Sequence, residues 1–189
     1  MSRKKRMLME LILLFLLVFI YLRLSHSYLS AEQLLHANER GLHYGPSQEF
    51  LLEHKKGTNV LAVGLVDERS LSVIQGKQWG PIYRLRSGGI TGFWSISGGR
   101  KADSFICRND GVLLGLVDMK ALPEAASVIC YVYMGKKEED GWTLKANVQR
   151  NGFFRTDIQV PEENGDEFCH MGLMKVYDCE GKLLFTEDF

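Results

Sequence analysis

The chain has 189 residues, and its 23 basic and 23 acidic side chains give a formal net charge of zero. This length leaves room for one domain of ordinary size or two small ones. Because 46% of the residues are hydrophobic and 11% are aromatic, the composition excludes a disordered stalk.

Charge is placed unevenly along the chain. The first 24 residues contain five basic side chains and one acidic side chain, which leaves 18 basic and 22 acidic residues in the remainder. A mildly acidic domain without a basic stripe is a poor ligand for a polyanion. We therefore expect no nucleic-acid partner.

The first 24 residues predict a membrane anchor. Four basic residues at positions 3–6 precede an apolar run, 7–24, whose only charges are Glu10 and Arg23. The run reaches the lower limit of about 17 residues for a transmembrane helix. Because positive residues remain in the cytoplasm, we predict a cytoplasmic basic segment at 1–6 and a transmembrane signal-anchor helix at 7–24. Residues 25–189 then lie outside the cytoplasm, in a single-pass protein of the plasma membrane.

A cleaved signal peptide is the alternative interpretation of this segment. It shares the basic start and the apolar core, and Ser25-His26-Ser27 places small residues two apart. However, an A-x-A pattern is absent and Arg23 lies beside the candidate site. We favour the retained anchor, and both interpretations export the rest of the chain.

Residues 25–57 are predicted as a juxtamembrane helical spacer. Ser30 and Gln33 form a capping-box pattern, and Gly41 is placed to end the first helix. A second helix is predicted from Gly45 to Gly57, with Pro46 in its first turn.

Residues 58–189 predict an extracytoplasmic β-rich domain. Short runs of β-branched and aromatic residues alternate with turn signals, and they predict ten strands at 60–66, 71–74, 79–86, 104–107, 112–117, 128–134, 142–149, 153–160, 171–178 and 182–185. Gly76 is expected to end the second strand. Asn151-Gly152 predicts a type I′ hairpin in which 153–160 pairs back on 142–149.

Strands of this length and spacing indicate a mainly β fold, an antiparallel sandwich or barrel. A joint at 120–126 allows either one domain or two small β units. The second half, with its Asn-Gly hairpin and its final turn, resembles an immunoglobulin-like extracellular module in architecture. Such a likeness implies a fold and not a function.

The cysteines allow two interpretations. Cys107, Cys130, Cys169 and Cys179 all lie in the exported part, where an even count permits two disulfides. A pair between Cys169 and Cys179 is disfavoured if one extended strand joins them. The other interpretation is that each thiol is a small buried hydrophobe.

Motifs for cofactors, metals and catalysis do not match their required contexts. Ser87–Gly92 is glycine-rich but precedes no helix that would bind phosphate. Trp94–Gly98 lacks the nucleophile-elbow frame, and Cys169-His170 lacks a zinc spacing. The acidic stretch 162–167 lacks the spacing of a calcium loop. We predict no cofactor and no metal, and an enzyme is not favoured.

An aromatic set is the best candidate ligand surface. Trp79, Tyr83, Phe93 and Trp94 are accompanied by Arg100, with Arg84, Arg86 and Lys101 nearby. Aromatic rings beside glycine-rich loops can form a platform for a sugar, a peptide or a cell-wall anion. The alternative is that these rings belong to the core, since large aromatics dominate core burial.

The sequence therefore predicts a membrane-anchored protein with a non-enzymatic binding or accessory role. Its expected partners are the membrane, through residues 7–24, and a protein or cell-surface glycan. An anchored hydrolase with residues spread over several strands is the first alternative. The second is a membrane sensor or complex subunit that contacts a partner through Glu10, because segment 1–6 is too short to fold.

Overall fold

The computed structural model describes residues 3–85, 91–107, 110–134, 141–158 and 169–189. The chain divides into two compact units. Unit 1 comprises Met1–Gly64 and Ser72–Gly92, and unit 2 comprises Leu65–Leu71 and Phe93–Phe189. The division follows neither predicted boundary, because the boundary at 57/58 lies within unit 1 and the joint at 120–126 lies within unit 2.

The predicted mainly β fold is confirmed. The described residues form two helices and thirteen strands, and every strand pair whose register is defined is antiparallel. The first helix, α1, spans Arg3–Leu24. Within the described part of the chain, no helix combines the length and the apolar character that a membrane crossing needs. The predicted transmembrane helix at 7–24 is therefore not shown by the structure.

Helix α2, Ala31–Leu42, has the predicted start. The Ser30 hydroxyl accepts a hydrogen bond from the Gln33 N–H at 3.1 Å, and the Gln33 side chain accepts one from the Leu29 N–H at 3.1 Å. The first bond satisfies an amide group that a helix leaves unpaired at its N-terminus. The second reaches the residue before the cap, one position earlier than in a capping box. The helix ends at His43, in the left-handed region with φ of 60°, and not at Gly41 as predicted.

The second predicted helix of the spacer is wrong. Glu49–Lys56 forms a strand, β2, which joins the sheet of unit 1 beside β3, Asn59–Asp67. Phe50 packs against the core of unit 1, and Leu52 is buried. Pairing with β3 and burial of these side chains override the local helix signal at Pro46. Only the first part of segment 25–57 is therefore helical.

The sheet of unit 1 is built mainly from strands before residue 86. Its path is β1-β5-β4-β3-β2, and β6 also pairs with β4. The remaining bounds are β1 Ser27–Tyr28, β4 Ser70–Trp79, β5 Ile82–Leu85 and β6 Thr91–Ser95. The predicted third strand, 79–86, is thus shortened by the turn at Gly80-Pro81, and the glycine-rich stretch contributes a strand that the sequence did not predict.

Helix α2 covers this sheet with its apolar face. Leu34 and Leu35 are fully buried against Val60 and Ile74. Gly76 lies inside β4 and does not end the strand. A Cβ atom there would lie 2.6 Å from Leu34 Cδ2 and 2.8 Å from the backbone oxygen of β5. This glycine therefore permits the helix to pack close to the strand.

Unit 2 contains two antiparallel sheets. Their strands are β7 Ala102–Cys107, β8 Val112–Val117, β9 Ser127–Met134, β10 Trp142–Asn147, β11 Phe153–Asp157, β12 Cys169–Tyr177 and β13 Leu183–Asp188. One sheet has the order β10-β9-β12-β13, and the other has the order β11-β8-β7.

The two sheets of unit 2 enclose one core, which is the arrangement of a β-sandwich. Val128 and Val132 of β9 pack with Leu113 of β8 and with Phe154 of β11. The predicted joint lies in the same body, because Leu122, together with Ala125, packs into this core. The Asp118 carbonyl oxygen accepts hydrogen bonds from Ala121 and Leu122, which fold the joint against the sandwich.

The predicted pairing of strand 153–160 is wrong. Strand β11 pairs with β8, with Phe153 opposite Leu116, while β10 pairs with β9. A turn is present at Asn151-Gly152, but the predicted type I′ geometry is wrong, because Asn151 does not have the positive φ that this turn type needs. Gly152 has φ of 86°, and its carbonyl accepts the Val117 N–H at 2.9 Å. The chain thus changes sheets at this turn, because Gly152 permits the close approach to β8.

Three cysteines are free thiols in the structure, and the side chain of Cys169 lies outside its described part. Burial raises the pKa of Cys107 to about 12, with a further contribution from the nearby Asp110 charge. Burial likewise raises the pKa of Cys130 to about 12. Such thiols are inert at neutral pH because the thiolate is the reactive form. Cys179, by contrast, is exposed.

Candidate functional site

A buried carboxylate organises the end of α2. The Glu39 side chain is fully buried, and its Oε2 lies 2.8 Å from His36 Nδ1. The Ser47 N–H donates to the same oxygen at 3.2 Å, and the Ser47 hydroxyl donates to Oε1. The i, i+3 spacing places His36 and Glu39 on neighbouring turns of one helix face, and the loop after α2 returns Ser47 to them.

This network determines the ionisation of the carboxylate. Burial alone would raise the pKa of Glu39, but the hydrogen bonds from Ser47 and His36 together outweigh it and lower the pKa. Hydrogen bonds to an ionised carboxylate favour its charged form. Glu39 is therefore a buried carboxylate that is ionised, and Ser47 and His36 supply its hydrogen-bond donors.

A cavity of about 640 Å³ lies on the exposed side of His36. The outward face of α2 lines it with Gln33, His36 and Arg40, whose i, i+3, i+7 spacing forms one helical stripe. The other lining residues come from the end of α1 and from the segment around β1: Phe19, Leu22, His26, Ser27, Tyr28 and Leu29. The wall from α2 is thus polar and carries the cationic Arg40, whereas the apolar lining comes from the other wall, which also includes His26 and Ser27.

The arrangement does not match that of a serine hydrolase. In such an enzyme the imidazole lies between the serine and the acid. Here the carboxylate of Glu39 lies between His36 and Ser47, and the Ser47 hydroxyl donates to that carboxylate. The hydroxyl is therefore not activated by the imidazole. The network holds His36 in one orientation at the cavity wall.

In unit 1, the sequence-predicted ligand residues divide between surface and core. Trp79 is 50% exposed at the end of β4, with Lys77 Nζ 5.8 Å from its ring centre. Tyr83 is a core residue, 7% exposed, whose hydroxyl donates to Glu53 at 2.9 Å and accepts from Lys55 at 3.2 Å. Tyr83 therefore supports the core interpretation.

In unit 2, the predicted residues have separate surroundings. Phe93 is 47% exposed, whereas the Trp94 ring packs 5.1 Å from the ring of Phe105. Arg100 pairs with Glu187 at 3.0 Å and lies 5.3 Å from the ring centre of Phe189. Arg100 thus ties the C-terminal strand to the segment that precedes β7. Arg86 lies outside the described residues.

Sequence reasoning missed an aromatic row on the four-stranded sheet. Tyr131 and Tyr133 alternate with the inward side chains of β9, and their ring centres are 6.5 Å apart. His170 of β12 stacks on Tyr133 at 5.5 Å. The period-two pattern of 128–133 already places both tyrosines on the face opposite the valines. The position of His170 depended on the strand pairing and was not predictable.

The described residues offer no cluster of side chains suited to bind a metal ion. Where the chain is described, no group of three His, Cys, Asp or Glu side chains converges in a way that could hold a metal ion. The acidic stretch 162–167 lies outside the described residues, as does most of Ser87–Gly92. The cavity beside His36 is therefore the candidate site with the clearest chemistry.

Comparisons with known proteins give no match for this chain. No protein-family model matches it, and neither a curated protein nor a solved structure is significantly similar. A functional assignment must therefore be argued from the described side chains.

Proposed function

We propose that this chain is a single-pass membrane-anchored binding protein, with α1 in the lipid and the β units outside the cytoplasm. The observation that carries the proposal is the surface of α1. Every residue from Met7 to Tyr21 except Glu10 is a large hydrophobic with an exposed fraction of 44% to 69%. An apolar surface of this size marks an interaction with a membrane or a partner.

The distribution of these side chains favours insertion. A helix that lies on a membrane surface has a polar face opposite its apolar face. In α1 the apolar residues occupy all sides from Leu11 to Tyr21. The basic residues at 3–6 precede them, which supports a cytoplasmic N-terminus at the plasma membrane.

The sandwich of unit 2 supports the binding role. Its seven strands divide into sheets of four and three around one core, as in immunoglobulin-like modules. It differs from the constant-type arrangement, because the fourth strand of the sandwich, β10, pairs with the third strand. We propose an immunoglobulin-like binding module of this altered order.

The aromatic row Tyr131, Tyr133 and His170 is the proposed partner surface for a protein or cell-surface glycan. Tyrosine is enriched at the centres of protein interfaces because it combines apolar area with a polar tip. The binding role is favoured over an anchored hydrolase, since Ser47 donates to Glu39 and not to His36.

Substitution of the anchor tests the proposal. Leu14 and Leu16 are 59% and 51% exposed, and two residues of a helix differ by about 200° in direction. If lipid surrounds α1, Leu14→Lys and Leu16→Lys each disfavour insertion by about 3 kcal/mol. We expect both variants of the full chain to leave the carbonate-resistant membrane pellet, with Leu14→Ile as the apolar control.

The two lysine variants also distinguish insertion from surface binding. If only one of the two variants leaves the membrane pellet, the helix lies on the membrane surface and only one of its faces contacts lipid. Retention of both variants in the pellet would contradict the anchor.

A further inference from the structure

The cavity beside α2 has the lining of a site for an anionic amphiphile. Among the residues that the structure describes, no acidic side chain lines it, whereas Arg40, His26 and His36 all do. Arg40 is exposed, and its guanidinium has no hydrogen bond or ion pair to another described residue. An arginine without a carboxylate partner at a cavity wall is suited to bind an anion.

Charged groups flank the cavity beyond its lining residues. Glu32 Oε1 lies 3.8 Å from His36 Nε2, and Glu39 lies behind the ring at Nδ1. Arg84 donates to the hydroxyl of Ser27, itself a lining residue, at 2.8 Å. The acidic groups thus engage His36, and the Arg40 end of the cavity remains cationic.

The opposite wall accepts hydrocarbon. Phe19 and Leu22 of α1 and Leu29 after β1 line it, and Leu29 is 58% exposed. A site with one apolar wall and a few convergent polar groups is typical of a pocket for a small amphiphilic ligand. A free phosphate ion would leave this apolar wall unused.

We propose that this cavity binds one anionic phospholipid, with the headgroup at Arg40 and Gln33 and the acyl chain along Phe19 and Leu22. The inference rests on the proposed anchor, because the anchor places the cavity at the outer end of α1, where the lipid headgroups lie. A guanidinium at the level of the headgroups can form bidentate hydrogen bonds with a phosphate group.

The test compares lipid adducts of the full chain by native mass spectrometry. Micelles contain equal amounts of phosphatidylglycerol and phosphatidylcholine with matched acyl chains. We expect the wild-type chain to retain phosphatidylglycerol about tenfold more than phosphatidylcholine, and Arg40→Gln to reduce this preference to about twofold or less. Arg40→Lys should restore part of it, because the charge remains while the planar fork is lost.

Lys56→Gln is the matched control. Lys56 is an exposed cation at the end of β2, outside the cavity, so the variant removes the same charge. Equal preference in wild type and Arg40→Gln, or an equal loss in Arg40→Gln and Lys56→Gln, would overturn the proposal. Displacement of phosphatidylglycerol by excess inorganic phosphate would assign the cavity to a free anion and also overturn it.

Failure of the anchor would give a different result. A chain that does not pellet with membranes but keeps the Arg40-dependent adduct contradicts the anchor alone. A chain that pellets and shows no such adduct contradicts the lipid site alone.

Discussion

Phe154→Ala should destabilise unit 2 by about 3 to 5 kcal/mol, the range for removal of a buried aromatic ring. Phe154 is completely buried between the two sheets of the sandwich. Its ring packs over Gly115 of the neighbouring strand, where a Cβ atom would collide with the ring. The cavity left by the ring adds to the loss of its burial. Native-state hydrogen exchange of the β8 amides measures the loss in the full chain.

Phe93→Ala is the matched control for this variant. Phe93 is in the same unit and is 47% exposed, so its removal should cost less than about 1 kcal/mol. A loss below about 1 kcal/mol for Phe154→Ala would show that the two sheets do not share this core.

Glu39→Gln should destabilise α2 by about 3 kcal/mol at neutral pH, because it removes the charge that three hydrogen bonds stabilise. The Ser47 amide and hydroxyl and the His36 ring would each lose an ionised acceptor. The readout is native-state hydrogen exchange of the α2 amides in the full chain. Glu32→Gln is the control, since that carboxylate is 57% exposed and 3.8 Å from His36, and it should cost less than about 0.5 kcal/mol.

The pH dependence of the same variant has a definite sign. The pKa of Glu39 is lowered below its ordinary value of 4.5, so its stabilising contribution is complete above that value. The contribution is lost as the pH falls through the lowered pKa of the folded state. The difference between wild type and Glu39→Gln should therefore be constant near neutral pH and shrink in acid. A difference that grows in acid would mean that burial controls the ionisation of Glu39.

Sequence patterns within a single segment were sufficient to predict α2 and most of the sandwich strands. Ser30 and Gln33 are three apart, and this spacing predicts the hydrogen bond from the Gln33 N–H to the Ser30 hydroxyl that begins the helix. Strand β10 was predictable because its side chains alternate between Trp142 and Asn147. These elements depend on contacts that lie close together in the sequence.

The wrong predictions concern segments whose structure depends on contacts with residues far away in the sequence. Pro46 favours a helix start, yet pairing with β3 makes 49–56 a strand. Gly76 resembles a strand end, but it is the position where Leu34 approaches β4. The partner of β11 depends on how Gly152 meets β8. No periodicity within one segment contains that information.

The candidate site was missed for a related reason. His36 and Glu39 are three apart on α2, a spacing that is common on helices and carries no specific signal. Their role depends on the return of Ser47 and on the cavity formed with α1 and β1. Of the predicted aromatic set, Tyr83 proved to be a core residue, because it lies in the middle of a strand that α2 covers.

The central claim is that the β units lie across the membrane from the basic N-terminus, and Cys179 tests it most directly. Its thiol is exposed, whereas Cys107 and Cys130 are buried, so a membrane-impermeant maleimide should label this position in the folded chain. Intact cells are treated with an impermeant phosphine and the maleimide, and the membrane pellet is analysed. We predict labelling of the pelleted chain before lysis, with the signal reduced in Cys179→Ser. Labelling of Cys179 only after the cells are permeabilised would contradict the account.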